Sequence, residues 1–195
     1  MSKLNLLVKE LSKKAYNKYI MFSFMGTMFL MENGIFGKGY FKKVKPDFEM
    51  IDMNFFNSPE EILYYLINLG KFGRSNYFYL LVIDLILLVV LCVLQSTLIM
   101  KLLKGIARRE QFQWLVTLPF FRSGADLFET LSYMILVKKF PETSNFALYT
   151  GSIFTTIKWV FMAATLLALV ILIFINIRNT LRERNFYLNC NNKLK

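Results

Sequence analysis

The chain has 195 residues, of which 55% are hydrophobic, 16% aromatic and only 19% charged. Water-soluble domains carry roughly a quarter charged residues, so this composition excludes an ordinary soluble domain and favours an integral membrane protein. Histidine is absent and only Cys92 and Cys190 carry thiols. This excludes histidine-dependent catalytic pairs, imidazole metal sites and a disulfide framework. We therefore expect no metal and no cofactor.

Long apolar runs predict an all-α protein, a four-helix transmembrane bundle. The predicted spans are Tyr19–Phe36, Tyr77–Leu103, Trp114–Val137 and Ala147–Ile177. The first run is short for a bilayer crossing, and the last is longer than one crossing needs. Residues 1–195 are treated as one integral membrane domain, with the basic tail 178–195 following the last span.

The net charge of +11 is distributed unevenly between the predicted loops. The segment up to Lys18, the loop 101–113 and the tail from Arg178 together hold fourteen basic and three acidic residues. The alternate loops, 37–76 and 138–146, hold eight basic and six acidic residues. The positive-inside rule then places both termini on the cytoplasmic or equivalent side. The same distribution predicts contact with anionic lipid at the inner face and argues against a nucleic-acid partner. A protein partner or homo-oligomer stays open.

The first outer loop contains signals for a short amphipathic helix. Ser58-Pro59-Glu60-Glu61 combines an N-cap, a proline in the first helical turn and a capping-box glutamate. A helical apolar stripe follows at Ile62, Leu63, Leu66 and Leu69. Gly70 is predicted as the C-cap, and Gly70, Gly73 and Arg74 as a tight basic turn into the next span. This helix would either cover the outer mouth of the bundle as a lid or simply pack on it.

Ionisable residues within the predicted spans form the candidate site, because burying such groups in a bilayer is costly. They are Glu32, Asp84, Arg122, Asp126, Glu129 and Lys158. At about 1.5 Å per helical residue, Asp126 and Lys158 lie at the same depth, ~16 Å from the outer ends of their helices. We therefore predict an ion pair between them. Arg122, Asp126, Glu129 and Tyr133 follow one helix face.

Three functions are compatible with such a cluster. The first is a non-catalytic membrane protein that binds a partner or ligand, in which the charges fix helix packing. The second is a small transporter or a protein that handles protons or cations. The third is a membrane-embedded, lipid-modifying enzyme in which paired carboxylates such as Asp126 and Glu129 carry out acid–base chemistry.

Several short motifs occur in a fixed order between residues 58 and 160. They are Ser58-Pro59-Glu60-Glu61, Leu69-Gly70-x-x-Gly73-Arg74-x-x-Tyr77, Asp84, Leu118-Pro119, Asp126-x-x-Glu129, Tyr149 and Lys158. The series resembles the signature of a group of small four-span integral membrane proteins. An Asn usually follows the glutamate in that group, whereas Thr130 stands here. The resemblance implies the four-span architecture and the set of site residues, and it implies no reaction.

Overall fold

The computed structural model describes residues 51, 54–106 and 109–193, and within them the protein is helical and contains no β-strand. Its elements are α1 (Pro59–Lys104), a 3₁₀ helix (Arg109–Thr117), α2 (Leu118–Lys139) and α3 (Asn145–Lys193). The all-helical prediction is thereby confirmed. The predicted span Tyr19–Phe36 and its Glu32 lie outside the described residues, so the count of four spans stays a prediction.

The start of α1 is determined by local sequence. The Ser58 hydroxyl accepts a hydrogen bond from the Glu61 backbone N–H, and the Glu61 carboxylate accepts one from the Ser58 N–H at 2.7 Å. Both halves of the predicted capping box are therefore formed. Pro59 occupies the first turn, where a missing N–H costs nothing.

A single glycine interrupts α1. Gly70 adopts φ 64° and ψ 177°, and the helix resumes directly after it. The prediction of a turn running from Gly70 to Arg74 is therefore wrong in extent, because residues 71–74 are helical. The Arg74 guanidinium donates to the Leu66 carbonyl at 2.8 Å, which supplies a partner to a backbone group near the break. One residue with positive φ is thus sufficient to redirect the chain.

The boundaries of the next two helices also differ from the predicted spans. α2 begins at Leu118 rather than Trp114, because Pro119 is favoured in a first turn and the preceding residues form the 3₁₀ helix. α3 begins at Asn145, and the Ser144 hydroxyl accepts from the Ala147 N–H at 3.4 Å, as an N-cap does. Its backbone stays helical to Lys193, through most of the predicted tail.

α2 runs antiparallel to α1 and α3, which are parallel to each other, and the three helices enclose two apolar clusters. One cluster lies at the Gly70 end, where the break in α1 and the α2–α3 connection are found. It contains Ile62, Leu66, Leu69, Tyr77, Leu80, Leu81, Tyr133, Leu136, Ala147 and Leu148. The other lies at the Gly105 end, beside the 3₁₀ helix, and contains Ile99, Leu103, Val116, Leu169 and Leu172. The buried charged residues of α2 and α3 lie between the two clusters.

Two of the helices are long and apolar enough to cross a membrane: α1 and the part of α3 from Asn145 to Arg182. Only 28% of the most apolar stretch of α1, and 22% of that of α3, is buried. The core helix of a soluble protein would bury most of such a stretch. α2 carries Arg122, Asp126 and Glu129, so its composition alone does not identify it as a span.

Candidate functional site

The polar face of α2 forms the first part of the candidate site. Arg122, Asp126, Glu129 and Tyr133 are buried on this face, as the spacing predicts. The Arg122 Nη2 contacts Asp126 Oδ2 at 3.2 Å, one helical turn away. α2 therefore presents two carboxylates in succession, and one of them is already paired with a cation of its own helix.

Lys158 of α3 lies between these two carboxylates. Its Nζ is 3.4 Å from Asp126 Oδ1 and 2.5 Å from Glu129 Oε2. The predicted Asp126–Lys158 pair is present, but the closer contact is to Glu129, for which we predicted no partner. Asp126 and Glu129 are three residues apart on the same face of α2. A single ammonium group can therefore contact both.

Two hydroxyl groups extend the network toward the Gly70 end. The Thr155 hydroxyl donates to Glu129 Oε1 at 2.6 Å, and the Tyr133 hydroxyl lies 3.0 Å from Thr155 Oγ1. Because a hydroxyl carries one proton, Tyr133 donates to Thr155 whenever Thr155 donates to Glu129. A continuous chain of polar contacts therefore runs from Tyr133 through Thr155, Glu129 and Lys158 to Asp126. It ends at the Arg122 guanidinium, which contacts Asp126.

A glycine allows this close approach of α2 and α3. A Cβ atom at Gly151 would lie 2.8 Å from Cε1 of the Tyr133 ring, which is closer than real Cβ contacts. Tyr133 was predicted to share a face of α2 with the charged residues, whereas the sequence analysis did not single out Gly151. Spacing also places Thr155, three residues before Lys158, on the same helix face as that lysine.

The four charged side chains of the site are almost fully removed from solvent. The exposed fraction is 1% for Glu129, 4% for Asp126 and 8% for both Arg122 and Lys158. Two positive and two negative groups make this charged quartet formally neutral. Charges buried to this extent are tolerated only when they are paired and hydrogen-bonded. Removing one member would leave an uncompensated buried charge, which costs more than the pair itself contributes.

Asp84 of α1 occupies a separate position beside the quartet. It is half-buried, and its Oδ2 accepts a hydrogen bond from the Thr130 hydroxyl of α2 at 3.1 Å. Thr130 itself is 2% exposed. The residue that follows Glu129 in the sequence therefore connects α1 to α2, while Glu129 connects α2 to α3. The structure thus places Asp84 next to the network, through Thr130.

The residues predicted as an outer lid or turn hold the beginning of α1 against the bundle. Glu61 serves the helix cap, and Gly70 provides the break. Gly73 approaches Leu69 closely, since a Cβ there would lie 3.2 Å from the Leu69 Cβ. The Arg74 guanidinium stacks over the Phe140 ring, 3.8 Å from its centroid, and so joins α1 to the α2–α3 connection. Through these contacts, the beginning of α1 packs against the other helices of the bundle.

A backbone-directed hydrogen bond adds to this packing. The Ser152 hydroxyl of α3 donates to the Asn57 carbonyl at 2.5 Å. Ile62 and Leu66 are 1% and 2% exposed, buried among residues of α2 and α3. The segment before Gly70 therefore covers the Tyr133 side of the polar chain.

No family model, curated protein or solved structure matches this chain. The similarity to the four-span group therefore stays a prediction based on the motifs, and the site has to be interpreted from its own chemistry.

Proposed function

We propose that the protein is a multi-pass integral membrane protein with a non-catalytic, binding role, in which the charged quartet locks α2 to α3. The lock holds the bundle in one shape for a partner or ligand. The observation that carries this proposal is the position of Lys158 Nζ between Asp126 and Glu129, at 3.4 and 2.5 Å. Both carboxylates are committed to one ammonium group, which favours a structural lock over free acid–base groups.

The membrane assignment is supported by where the apolar surface lies. α1 exposes a stripe at Tyr79, Val82, Ile86 and Val89, and α2 exposes Phe121, Phe128, Leu131 and Ile135. A water-soluble monomer rarely exposes apolar surface of this extent. We place both termini on the cytoplasmic side, with the Gly105 end inside, and include Tyr19–Phe36 as a further span. After extraction of membranes with alkaline carbonate, the chain should stay in the pellet; recovery in the supernatant would contradict the assignment.

A double-mutant cycle tests the lock. Lys158→Met leaves two buried carboxylates and one cation, Arg122. Glu129→Gln leaves two buried cations and one carboxylate, Asp126. The double variant restores neutrality and keeps the contact between Arg122 and Asp126. We expect each single variant to lower the thermal midpoint and the folded yield in detergent, and the double variant to recover much of the loss. Lys138→Met, an exposed lysine on α2, is the matched control.

The outcome separates the lock from its alternatives. If both single variants and the double variant melt like the wild type, the quartet does not hold the helices together, and the proposal fails. If the singles unfold and the double does not recover, the charges act through partners other than each other.

Proton or cation handling is a second candidate, favoured by the continuous chain from Tyr133 to Arg122. One buried donor of that chain, Arg122 Nε, has no hydrogen-bond partner among the described residues. Such an atom is a natural place for a water molecule or small polar ligand. Proteoliposomes containing a pH-sensitive dye would test this: flux that Thr155→Val abolishes would support the candidate, and dye signals equal to those of empty liposomes would exclude it.

A further inference from the structure

At the Gly105 end, α1 and α3 are joined by hydrogen bonds from side-chain amides of α3 to backbone carbonyls of α1. The charged quartet plays no part in this contact. Asn176 Nδ2 donates to the Leu102 carbonyl at 2.9 Å and to Leu172 at 2.8 Å. Asn179 Nδ2 donates to the Gly105 carbonyl at 3.2 Å. Both asparagines thus reach from α3 to carbonyls at the C-terminus of α1, where Leu102 also accepts from the Gly105 backbone N–H at 3.2 Å. The two helices are therefore fixed in register at this level.

This fixed register brings the apolar-to-basic boundaries of both helices to the same height. On α1 the last buried apolar residue is Leu103, followed by the exposed Lys104. On α3 the exposed Ile177 is followed by Arg178, and by Arg182 one turn later. We call Lys104, Arg178 and Arg182 the basic collar. Along their own helices, the three residues lie within about one turn of Gly105 and Asn179, the two residues that the last of these hydrogen bonds joins.

The 3₁₀ helix lies at the same end of the bundle as the basic collar. Its Val116 packs in the same apolar cluster as Leu103 and Leu172, which places the segment beside the junction. Trp114 and Phe112 are exposed on it, by 59% and 39%. Exposed Trp next to a basic boundary is typical of the headgroup level of a bilayer. The exposed acidic side chain described in this segment is Glu110.

The Gly70 end lacks this imbalance among the described residues. The exposed lysines at this end are Lys71 on α1 and Lys138 and Lys139 on α2. Exposed acidic residues are present at the same end, namely Glu60 and Glu61 on α1 and Glu142 in the α2–α3 connection. Cations are therefore present at both ends, but they exceed the acids clearly only at the collar. A lipid with a negative headgroup would be attracted to one end of the molecule and not equally to the other.

We infer that the basic collar binds the phosphate of an anionic phospholipid in the inner leaflet, with Trp114 at its apolar rim. This inference rests on the proposed membrane function and names one of its partners. The collar would recognise a phosphate diester that is attached to acyl chains. A free phosphate has the negative charge but no acyl chains, so it cannot contact the exposed apolar residues next to the collar, such as Phe174 and Ile177.

Lipid retention by the full-length chain tests the inference. The purified protein is exchanged into nanodiscs that contain equal amounts of phosphatidylglycerol and phosphatidylcholine, and the retained lipid is counted by native mass spectrometry. The collar variant is Lys104→Gln/Arg178→Gln/Arg182→Gln. The matched control, Lys71→Gln/Lys138→Gln/Lys139→Gln, removes the same charge at the Gly70 end. Each cation near an anionic surface contributes about fivefold in affinity, so the collar variant should lose on the order of a hundredfold.

The wild type and the control should retain phosphatidylglycerol in preference to phosphatidylcholine, and the collar variant should show no preference. Equal losses in the two triple variants, or no preference in the wild type, would overturn the inference. Displacement of the lipid by equimolar glycerol 3-phosphate would assign the collar to a soluble phosphate and also overturn it. A chain that is not retained in nanodiscs at all would instead contradict the proposed membrane function.

Discussion

The α2–α3 contact and the α1–α3 contact at the Gly105 end hold helices together in different ways. The first buries the charged quartet and the Thr155 hydroxyl, with Glu129 only 1% exposed. The second buries aliphatic side chains and is fastened by Asn176 and Asn179 acting on backbone carbonyls. In a bilayer, apolar contact discriminates poorly between helices, because lipid tails are as apolar as leucine. In the proposed bilayer setting, we therefore expect polar groups to select which helices pair and apolar groups to fill the space around them.

The largest effect is expected from Asp126→Asn, since Asp126 contacts both cations of the quartet. The change leaves Arg122 without its carboxylate and weakens the hold on Lys158. We expect a loss of about 3–5 kcal/mol in unfolding free energy, measured by chemical denaturation in detergent. Adding Arg122→Gln removes the surplus charge and should restore part of the stability. A double variant less stable than Asp126→Asn would show that Arg122 stabilises the fold independently of Asp126.

Thr155→Val should produce the next largest effect. It removes the hydroxyl that donates to Glu129 Oε1 and contacts the Tyr133 hydroxyl. Losing a buried hydrogen bond of this kind costs about 1–3 kcal/mol. Thr165→Val is the control, because the Thr165 hydroxyl is equally buried but donates within its own helix, to Phe161. Equal melting temperatures for the two variants would mean that the hydroxyl chain adds nothing to the α2–α3 contact.

Gly105→Ala probes the other contact. A methyl group there would collide with Oδ1 of Asn176, whose amide already serves Leu102 and Leu172. We expect a loss of about 1–2 kcal/mol from overpacking, again by chemical denaturation. In an Asn176→Ala background the collision is removed, so the added methyl group should cost clearly less. An equal cost in both backgrounds would mean that the loss comes from the backbone at Gly105 rather than from the collision with Asn176.

The smallest effects are expected from alanine substitutions at two glycines, one of which should lower the stability and the other raise it. Gly70→Ala places a Cβ at φ 64° and ψ 177°, a backbone region that essentially only glycine adopts, and should destabilise by about 1 kcal/mol, although there is open space around it. Gly124→Ala lies in regular helix, also with open space, and should stabilise by about 0.5–1 kcal/mol. Thermal melting of the two variants side by side measures the difference in sign. A neutral Gly70→Ala would mean that the break in α1 persists without a glycine.

Local features of the fold were predictable because neighbouring residues cause them. The capping box at Ser58 and Glu61 and the interruption at Gly70 both follow from chain geometry within one or two turns. The extent of the Gly70 interruption was not predictable. It depends on Arg74 reaching back to Leu66 and stacking on Phe140, a residue far away in the sequence.

The candidate site was likewise predictable from the sequence only in part. Spacing along α2 predicts that Arg122, Asp126 and Glu129 share a face, and depth along two helices predicts that Lys158 meets that face. Depth selected Asp126 as the partner, but the two carboxylates differ by less than one turn, so depth alone does not identify the closer contact, which is to Glu129. The choice depends on the rotation of α3 about its axis, which the close approach at Gly151 and the Thr155 hydrogen bond help to fix.

The sequence by itself determined that this protein is helical, strongly apolar and charged at selected buried positions, because composition and periodicity act along the chain. Only the tertiary structure decided that Lys158 contacts Glu129 more closely than Asp126, that Asp84 contacts Thr130, and that the basic residues of α1 and α3 meet at one level. These are relations between helices. They depend on the rotation and offset of one helix against another, and packing and hydrogen bonds between distant residues set both.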